Sequence, residues 1–308
     1  MTASPFHAGE IEAQERAGEA ASGGGIRDFM TAQHRTFFEA LPFVILGGSD
    51  GGWPVGTLLA GEPGFVSAPD PRTLRIAGQL PEDDPASRVL VEGAPVGVLG
   101  IDLGTRRRNR ANGVVTSADR EALVVAVRQS FGNCPQYIHV RELQGSPRKA
   151  QPAAERLAGL DAAARSMISA ADTFFVTTAA RTDESRGGVD VSHRGGPRGF
   201  VRVDGSTLTV PDYRGNRYFN TLGNLVSNPR AALLFVDFDE GDLLHVQGTA
   251  EILWDAPDPR SFPAAERSWR VRVEAVVRRR GAVPLRGRPR ATGAPEQDGG
   301  LLPDPRSR

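Results

Sequence analysis

Apolar residues in this chain arrive mostly in short runs of strand length, cut by Gly, Pro, Asp and Asn. Phe43-Val44-Ile45-Leu46 reads as a buried strand, Gly47 to Gly52 as a hairpin-like turn, and Val55–Leu59, Gly64–Val66 and Thr73–Ile76 as further short strands. Val96–Leu103 follows, and Arg106–Val115 pairs with it across a turn at Gly104. One segment has another period. Between Ile26 and Leu41 the residues Phe29, Met30, Gln33, Phe37 and Leu41 fall near helical spacing, and Pro42 closes the stretch, which predicts a helix. From Gly188 to Trp254 the strand pattern returns, and Phe262–Val277, with Trp269, Val271, Val273 and Val276 apolar, predicts a helix or a last strand.

The runs repeat. Gly64-Phe65-Val66 matches Gly199-Phe200-Val201, Val96–Leu103 matches Ala231–Phe238, and Asn112-Gly113 falls on Gln247-Gly248, all at one offset of 135 positions. Chance does not hold a register over so long a stretch, so the chain is expected to be two copies of one β unit. The copies differ after their fourth strands. The second carries Pro211-Asp212-Tyr213-Arg214-Gly215-Asn216-Arg217, while the first carries Gln79-Leu80-Pro81-Glu82-Asp83-Asp84-Pro85. A small residue beside two guanidinium groups suits a phosphate, because backbone N–H groups can approach it and arginine bonds it bidentately. Three carboxylates would repel one.

The segments DYRGNRYFNTLGNLVSNPRAALLFVDF, SHRGGPRGFV, FHAGEIEAQERAG and FGNCPQYI together resemble the pyridoxamine 5′-phosphate oxidase-like, FMN-binding split-barrel proteins, in a branch with two barrels. The resemblance spans roughly residues 5 to 257. It implies a mainly β fold of two tandem split barrels, paired within one chain as a pseudo-dimer, with one FMN between them. By the same resemblance Arg217 takes the place of a phosphate-binding residue, with Gly215 and Asn216 beside it where the oxidases themselves often carry Ser-Arg, and Arg214 in the same loop. Ser192, His193 and Arg194 lie on or after a strand that runs past the flavin, Asn220 and Thr221 open a helix whose N–H groups favour an anion, and Gln247 lies at the cofactor edge. From the first barrel Arg108 and Arg110, alternating with Arg106, either reach across to the cleft or form a solvated, edge-guarding strand face. His193 reads as a flavin contact or as a capping histidine, and Cys134 as a small buried residue or part of the cleft wall. His7 and Glu10 recur in the resemblance without a physical role, other than a docked arm.

Composition narrows the picture. The 308 residues suffice for two domains, 37 basic residues balance 37 acidic ones, and no global field draws the chain to nucleic acid or anionic lipid. A single cysteine excludes an internal disulfide, and no His/Cys set has zinc spacing. With no long apolar run the chain is expected to be soluble and cytoplasmic. The expected organisation is a flexible N-terminal arm over 1–25, a first barrel over 26–145 with a degenerate loop, a second barrel over 146–277 with the phosphate site, and a disordered tail over 278–308. No Gly-x-Gly-x-x-Gly follows a strand, so a nicotinamide cofactor would have to bind directly or a separate reductase would have to supply electrons. The expected function is flavin-dependent oxidation or reduction of a small molecule by a monomer or a homodimer. The alternatives are a flavin-storing module and a binder of haem or a deazaflavin.

Overall fold

The computed structural model describes residues 4–147, 153–181 and 188–289. Helix α1 (Ala8–Arg16) precedes the first copy, which comprises α2 (Ala32–Glu39), β1 (Phe43–Asp50), β2 (Trp53–Ala60), β3 (Val66–Asp70), β4 (Thr73–Ala77), a single helical turn at Pro85–Arg88, β5 (Pro95–Asp102), β6 (Arg107–Ala118) and β7 (Ala122–Gly132). β8 (Arg141–Gly145) and β9 (Glu155–Leu157) lead to the second copy: α3 (Ala162–Ala170), β10 (Thr173–Ala179), β11 (Val189–Gly195), β12 (Arg202–Asp204), β13 (Thr207–Tyr213), α4 (Asn220–Ser227), β14 (Arg230–Val236), β15 (Leu243–Leu253) and β16 (Ala265–Arg279). β17 (Leu285–Pro289) closes the described chain.

The two main sheets have one topology. The first runs β2-β1-β5-β6-β7-β4-β3 and the second β11-β10-β14-β15-β16-β13-β12, so each strand of one has its counterpart at the same place in the other. Pairing is antiparallel throughout. The repeat extends to an irregularity: the β6–β7 register shifts between Asn112 and Gly113, and the β15–β16 register between Gln247 and Gly248. Each bulge carries a glycine because a Cβ there would run into a backbone carbonyl of the neighbouring strand, that of Ala126 in one copy and Arg272 in the other. These are the two tandem split barrels that the sequence predicts.

The central strands read as unbroken apolar runs because both of their faces are buried. In β1, Val44 and Leu46 enter the core of the first barrel, while Phe43 and Ile45 join Phe175, Leu234 and Val236 of the second copy in a third core between the barrels. β5, β10 and β14 divide their residues in the same way. Alternation along a strand thus separates barrel core from interface core rather than core from solvent.

Three expectations need correction. The predicted helix from Ile26 is shorter, because Arg27 bridges to Ser130 in extended conformation and Thr31 caps α2 by accepting from the His34 N–H at 3.2 Å. The N-terminal arm is not a free tether: α1 carries a capping box between His7 and Glu10 and packs on α4. The tail does not begin at 278, since β16 runs to Arg279 and β17 pairs with β8, Leu285 opposite Gly145. Residues 290–308 lie outside the described residues.

Candidate functional site

β6 and β11 bring the two copies face to face at one cleft. Arg108 and Arg110, two residues apart on β6, point the same way, as strand geometry requires. Arg110 is buried and engaged at all three nitrogens. Its Nε donates to the Val191 carbonyl at 2.9 Å, Nη1 to Asn220 Oδ1 at 2.8 Å and Nη2 to Ser192 Oγ at 2.5 Å, and Asp190 lies 3.3 Å away as counter-charge. Arg108 differs. Its Nε donates to the Cys134 carbonyl at 2.9 Å and its Nη1 to His193 Nδ1 at 2.8 Å, but among the described residues no carboxylate pairs with it. Desolvation, with Arg110 adding repulsion, pushes its pKa down to about 9. It still carries its charge at neutral pH, in a place where an unpaired charge is costly.

That contact fixes the state of His193. A guanidinium can only donate, so Nδ1 accepts and Nε2 bears the proton. Burial, and then Arg108, hold the imidazole well below its ordinary pKa, hence neutral. Among the described residues its Nε2 has no partner, and neither have two other buried nitrogens of the cleft wall, Asn133 Nδ2 and Arg194 Nε. Three unused donor positions in one cleft await an acceptor.

The opposite wall is the loop after β13 and the start of α4. Arg217 and Phe219 both have positive φ, 64° and 59°, a conformation that costs a non-glycine residue about 1 kcal/mol or more. This turn leaves Phe219 at the N-cap without a side-chain cap, so the first N–H groups of α4 are not satisfied by the usual side chain. Behind them α1 buttresses the helix. His7 Nε2 lies 2.9 Å from Asn224 Oδ1, and Asn220 Nδ2 donates to Glu10 Oε1 at 2.5 Å. The motif that the sequence left without a role is therefore a brace: it holds Asn220, which in turn holds Arg110. Burial raises the Glu10 carboxyl pKa, against the opposing effect of His7.

Of the predicted residues, Arg108, Arg110, Ser192, His193, Arg194, Gly215, Asn216, Arg217, Asn220 and Thr221 line this one cleft. Two do not. The Arg214 side chain is exposed, and among the described residues only its carbonyl is engaged, by the Tyr137 hydroxyl at 3.2 Å; Gln247 bonds the Pro54 carbonyl at 2.8 Å, at the opposite contact between the barrels. Arg217 is in the cleft wall but clasped: Nη1 lies 2.6 Å from Glu19 and Nη2 3.0 Å from Glu266. Two strand arginines beside it are likewise paired internally, since Asp212 takes Arg194 at 2.9 Å and Arg267 at 2.8 Å. Sequence reasoning missed Asn133, Glu266 and Arg267, which reach the cleft only through strand pairing. Among the described residues no group of three or more His, Cys, Asp or Glu is placed to hold a metal, and no helix is long and apolar enough to cross a membrane.

A pH dependence follows. His193 and, at the opposite contact, His245 are both kept neutral chiefly by burial. The unfolded chain regains an ordinary histidine pKa of about 6.5 and binds more protons than the folded one below that pH. Stability is thus complete above about pH 6.5 and falls as the pH drops from there toward the depressed folded values. Thermal unfolding should show a plateau and then a decline on acidification, with a shallower decline in His193→Gln. A variant profile that overlays the wild-type one would contradict this account.

Residues 160–289 match the family model described as pyridoxamine 5′-phosphate oxidase. Comparison with curated proteins gives no match. Among solved structures, the chain is similar to the H111A form of HupZ from Group A Streptococcus, with 15% identity over 39% of this chain and 98% of that one and a TM-score of 0.31. It is also similar to a FAD-binding protein from Mesorhizobium loti, with 14% identity over 41% of this chain and 97% of that one and a TM-score of 0.28.

Proposed function

We propose, from the match of residues 160–289 to the pyridoxamine 5′-phosphate oxidase family model, that the chain is a member of that family through its second barrel, that the cleft between β6, β11 and α4 binds one FMN and that the protein is a flavin-dependent oxidoreductase acting on a small molecule. The observation that carries the reading is Arg108, a guanidinium without a carboxylate in a wall that also offers the uncapped start of α4 and the unused nitrogens of Asn133, His193 and Arg194. A phosphate or an electron-rich ring edge satisfies such donors, and charge-assisted bonds of this type are the strong ones. The residues present therefore fit an anionic cofactor. Arg217 stands beside the site as a paired cation, with Glu19 and Glu266 already on it, so Arg108 rather than Arg217 is the principal anchor in this reading.

When bound, the flavin would supply hydride or electron transfer, and the chain would supply orientation and electrostatics. Arg108, held by the Cys134 carbonyl and His193, keeps a positive charge at one end of the cleft. His193, neutral and with its proton on Nε2, offers a hydrogen-bond donor and not a charge. Ser192, fixed between Arg110, Thr221 and Asp190, keeps β11 in register with α4.

The test is the visible spectrum of the purified protein and the identity of whatever denaturation releases. The expected result is flavin bands with about one FMN per chain, bleached by NADH or NADPH and restored by an acceptor. Haem or a deazaflavin in the released fraction replaces the cofactor in this reading. A flavin that only dithionite reduces makes the protein a storage module. A colourless protein that does not take up added FMN ends the proposal.

A further inference from the structure

The internal repeat allows the cleft to be compared with its own twin. At the offset of 135 positions, Thr57 corresponds to Ser192, Asp84 to Phe219 and His245 to Arg110. The contacts repeat too: His245 Nδ1 meets the Gly56 carbonyl at 3.0 Å just as Arg110 Nε meets that of Val191 at 2.9 Å. Strand registers extend the match across the last long strand. Asn109 pairs with Gly132 and its counterpart Leu244 with Arg278, so Asn133 stands in the place of Arg279. The barrels therefore meet through two related contacts, the cleft described above and its twin, where β2 packs against β15 and the turn at Pro85–Arg88.

In the twin, an anion is already present and belongs to the chain. Asp84 is 1% exposed. Its Oδ2 accepts from Thr57 Oγ1 at 2.5 Å and from Arg279 Nη1 at 2.6 Å, and its Oδ1 accepts from the Ala86 N–H at 2.8 Å. Arg279 is itself 4% exposed and comes from the other barrel; its Nη2 also lies 3.4 Å from Asp83, and among the described residues its Nε has no partner. Each element has a counterpart in the ligand cleft, where the carboxylate is missing. Phe219 stands for Asp84 with no side-chain cap, and Asn133 stands for Arg279 with its Nδ2 unused.

We infer that Asp84 is a built-in anion that fills and closes a second cleft of the same origin, so that the chain takes one anionic ligand and not two. The acidic loop of the first copy does not merely repel a phosphate; one of its carboxylates occupies the anion's place. The pocket that Asp84 fills has the chemistry of a small oxyanion or carboxylate site, with Thr57 and Arg279 as its donors. The part that concerns the twin stands on its own geometry, whereas the equation of Asp84 with the FMN phosphate rests on the function proposed above.

Chemical rescue tests it. In Asp84→Ala the buried Arg279 loses its closer counter-charge and keeps only Asp83, 3.4 Å from Nη2, and the melting temperature should fall. Formate should then raise it by several degrees more than chloride at equal ionic strength, with no such difference in the wild type. In Asp84→Ala/Arg279→Leu the formate effect should vanish while stability without formate improves. If Asp84→Ala does not fold in chloride, its soluble yield on refolding with and without formate reads the same quantity. Equal responses to formate and chloride in melting temperature or yield would overturn the inference. Rescue by formate in a protein whose wild type takes up no FMN would sustain the twin site and dismiss the flavin reading, so the two failures are separable.

Discussion

Arg108→Ala should lower the affinity for the proposed FMN between about thirtyfold and a thousandfold, the span expected when one side of a buried charge-assisted contact worth roughly 2 to 4 kcal/mol is removed. The same change leaves the ligand-free protein as stable as before or more stable. The two signs differ for one reason: without ligand, Arg108 is a desolvated cation with no carboxylate, held by a carbonyl and an imidazole nitrogen. Deleting such a charge removes a cost. An ordinary structural arginine would behave in the opposite way, with its loss weakening the fold first and binding only as a consequence. Flavin fluorescence titration and thermal unfolding of the same two samples measure both quantities. Arg217→Ala is the control, with a smaller loss of affinity, because Glu19 and Glu266 already neutralise that side chain. Unchanged affinity in a folded Arg108→Ala protein, or a larger effect at Arg217, refutes the anchor assigned here.

Gly248→Ala and Gly113→Ala each destabilise the protein by at least about 3 kcal/mol, at the upper end of overpacking effects. Where an added methyl meets the end of a side chain, that side chain can turn away. Here it meets a backbone carbonyl on the next strand, Arg272 in one copy and Ala126 in the other, in the middle of the longest strand pairings. The bulge would have to open and the bonds beside it to break. Urea unfolding of the two variants should give similar losses, since the sites are counterparts in the repeat. A loss below about 1 kcal/mol at either would show that the bulge relaxes and that the shared glycine has another cause.

These two sites also show what a sequence can disclose. The glycines were legible only as a repeated pair, Asn112-Gly113 and Gln247-Gly248 at one offset, while the close approach of strands that requires them came from the fold. The strands were legible from their short apolar runs, and Arg108 and Arg110 as sharing one strand face, because alternation sets a common side; whether that face meets the cleft or solvent was left open. Asn133 and Glu266 were not legible, since their place depends on how β7 and β16 pair with strands far away in the chain. Gln247 was misplaced by the symmetry itself. It is the counterpart of Asn112, so it faces β2 at the twin contact, where its amide bonds Pro54, while Asn112 faces Asp190 near the cleft at 3.1 Å. Asp84 was misread as plain repulsion because charge along the chain does not reveal which cation, here Arg279, the fold will bring to it. The stretch 278–289 looked unstructured by composition, yet β17 needs only one partner edge, and β8 supplies it.

The core shared by β1, β5, β10 and β14 ties the halves into one inheritable unit. In an assembly of identical subunits every substitution is made twice, so neither of two equivalent pockets can be lost without losing the other. Joining the copies in a single polypeptide removes that obligation. One half is free to specialise in recognition while the other drifts toward support, and the pair can explore unequal sequences without coming apart.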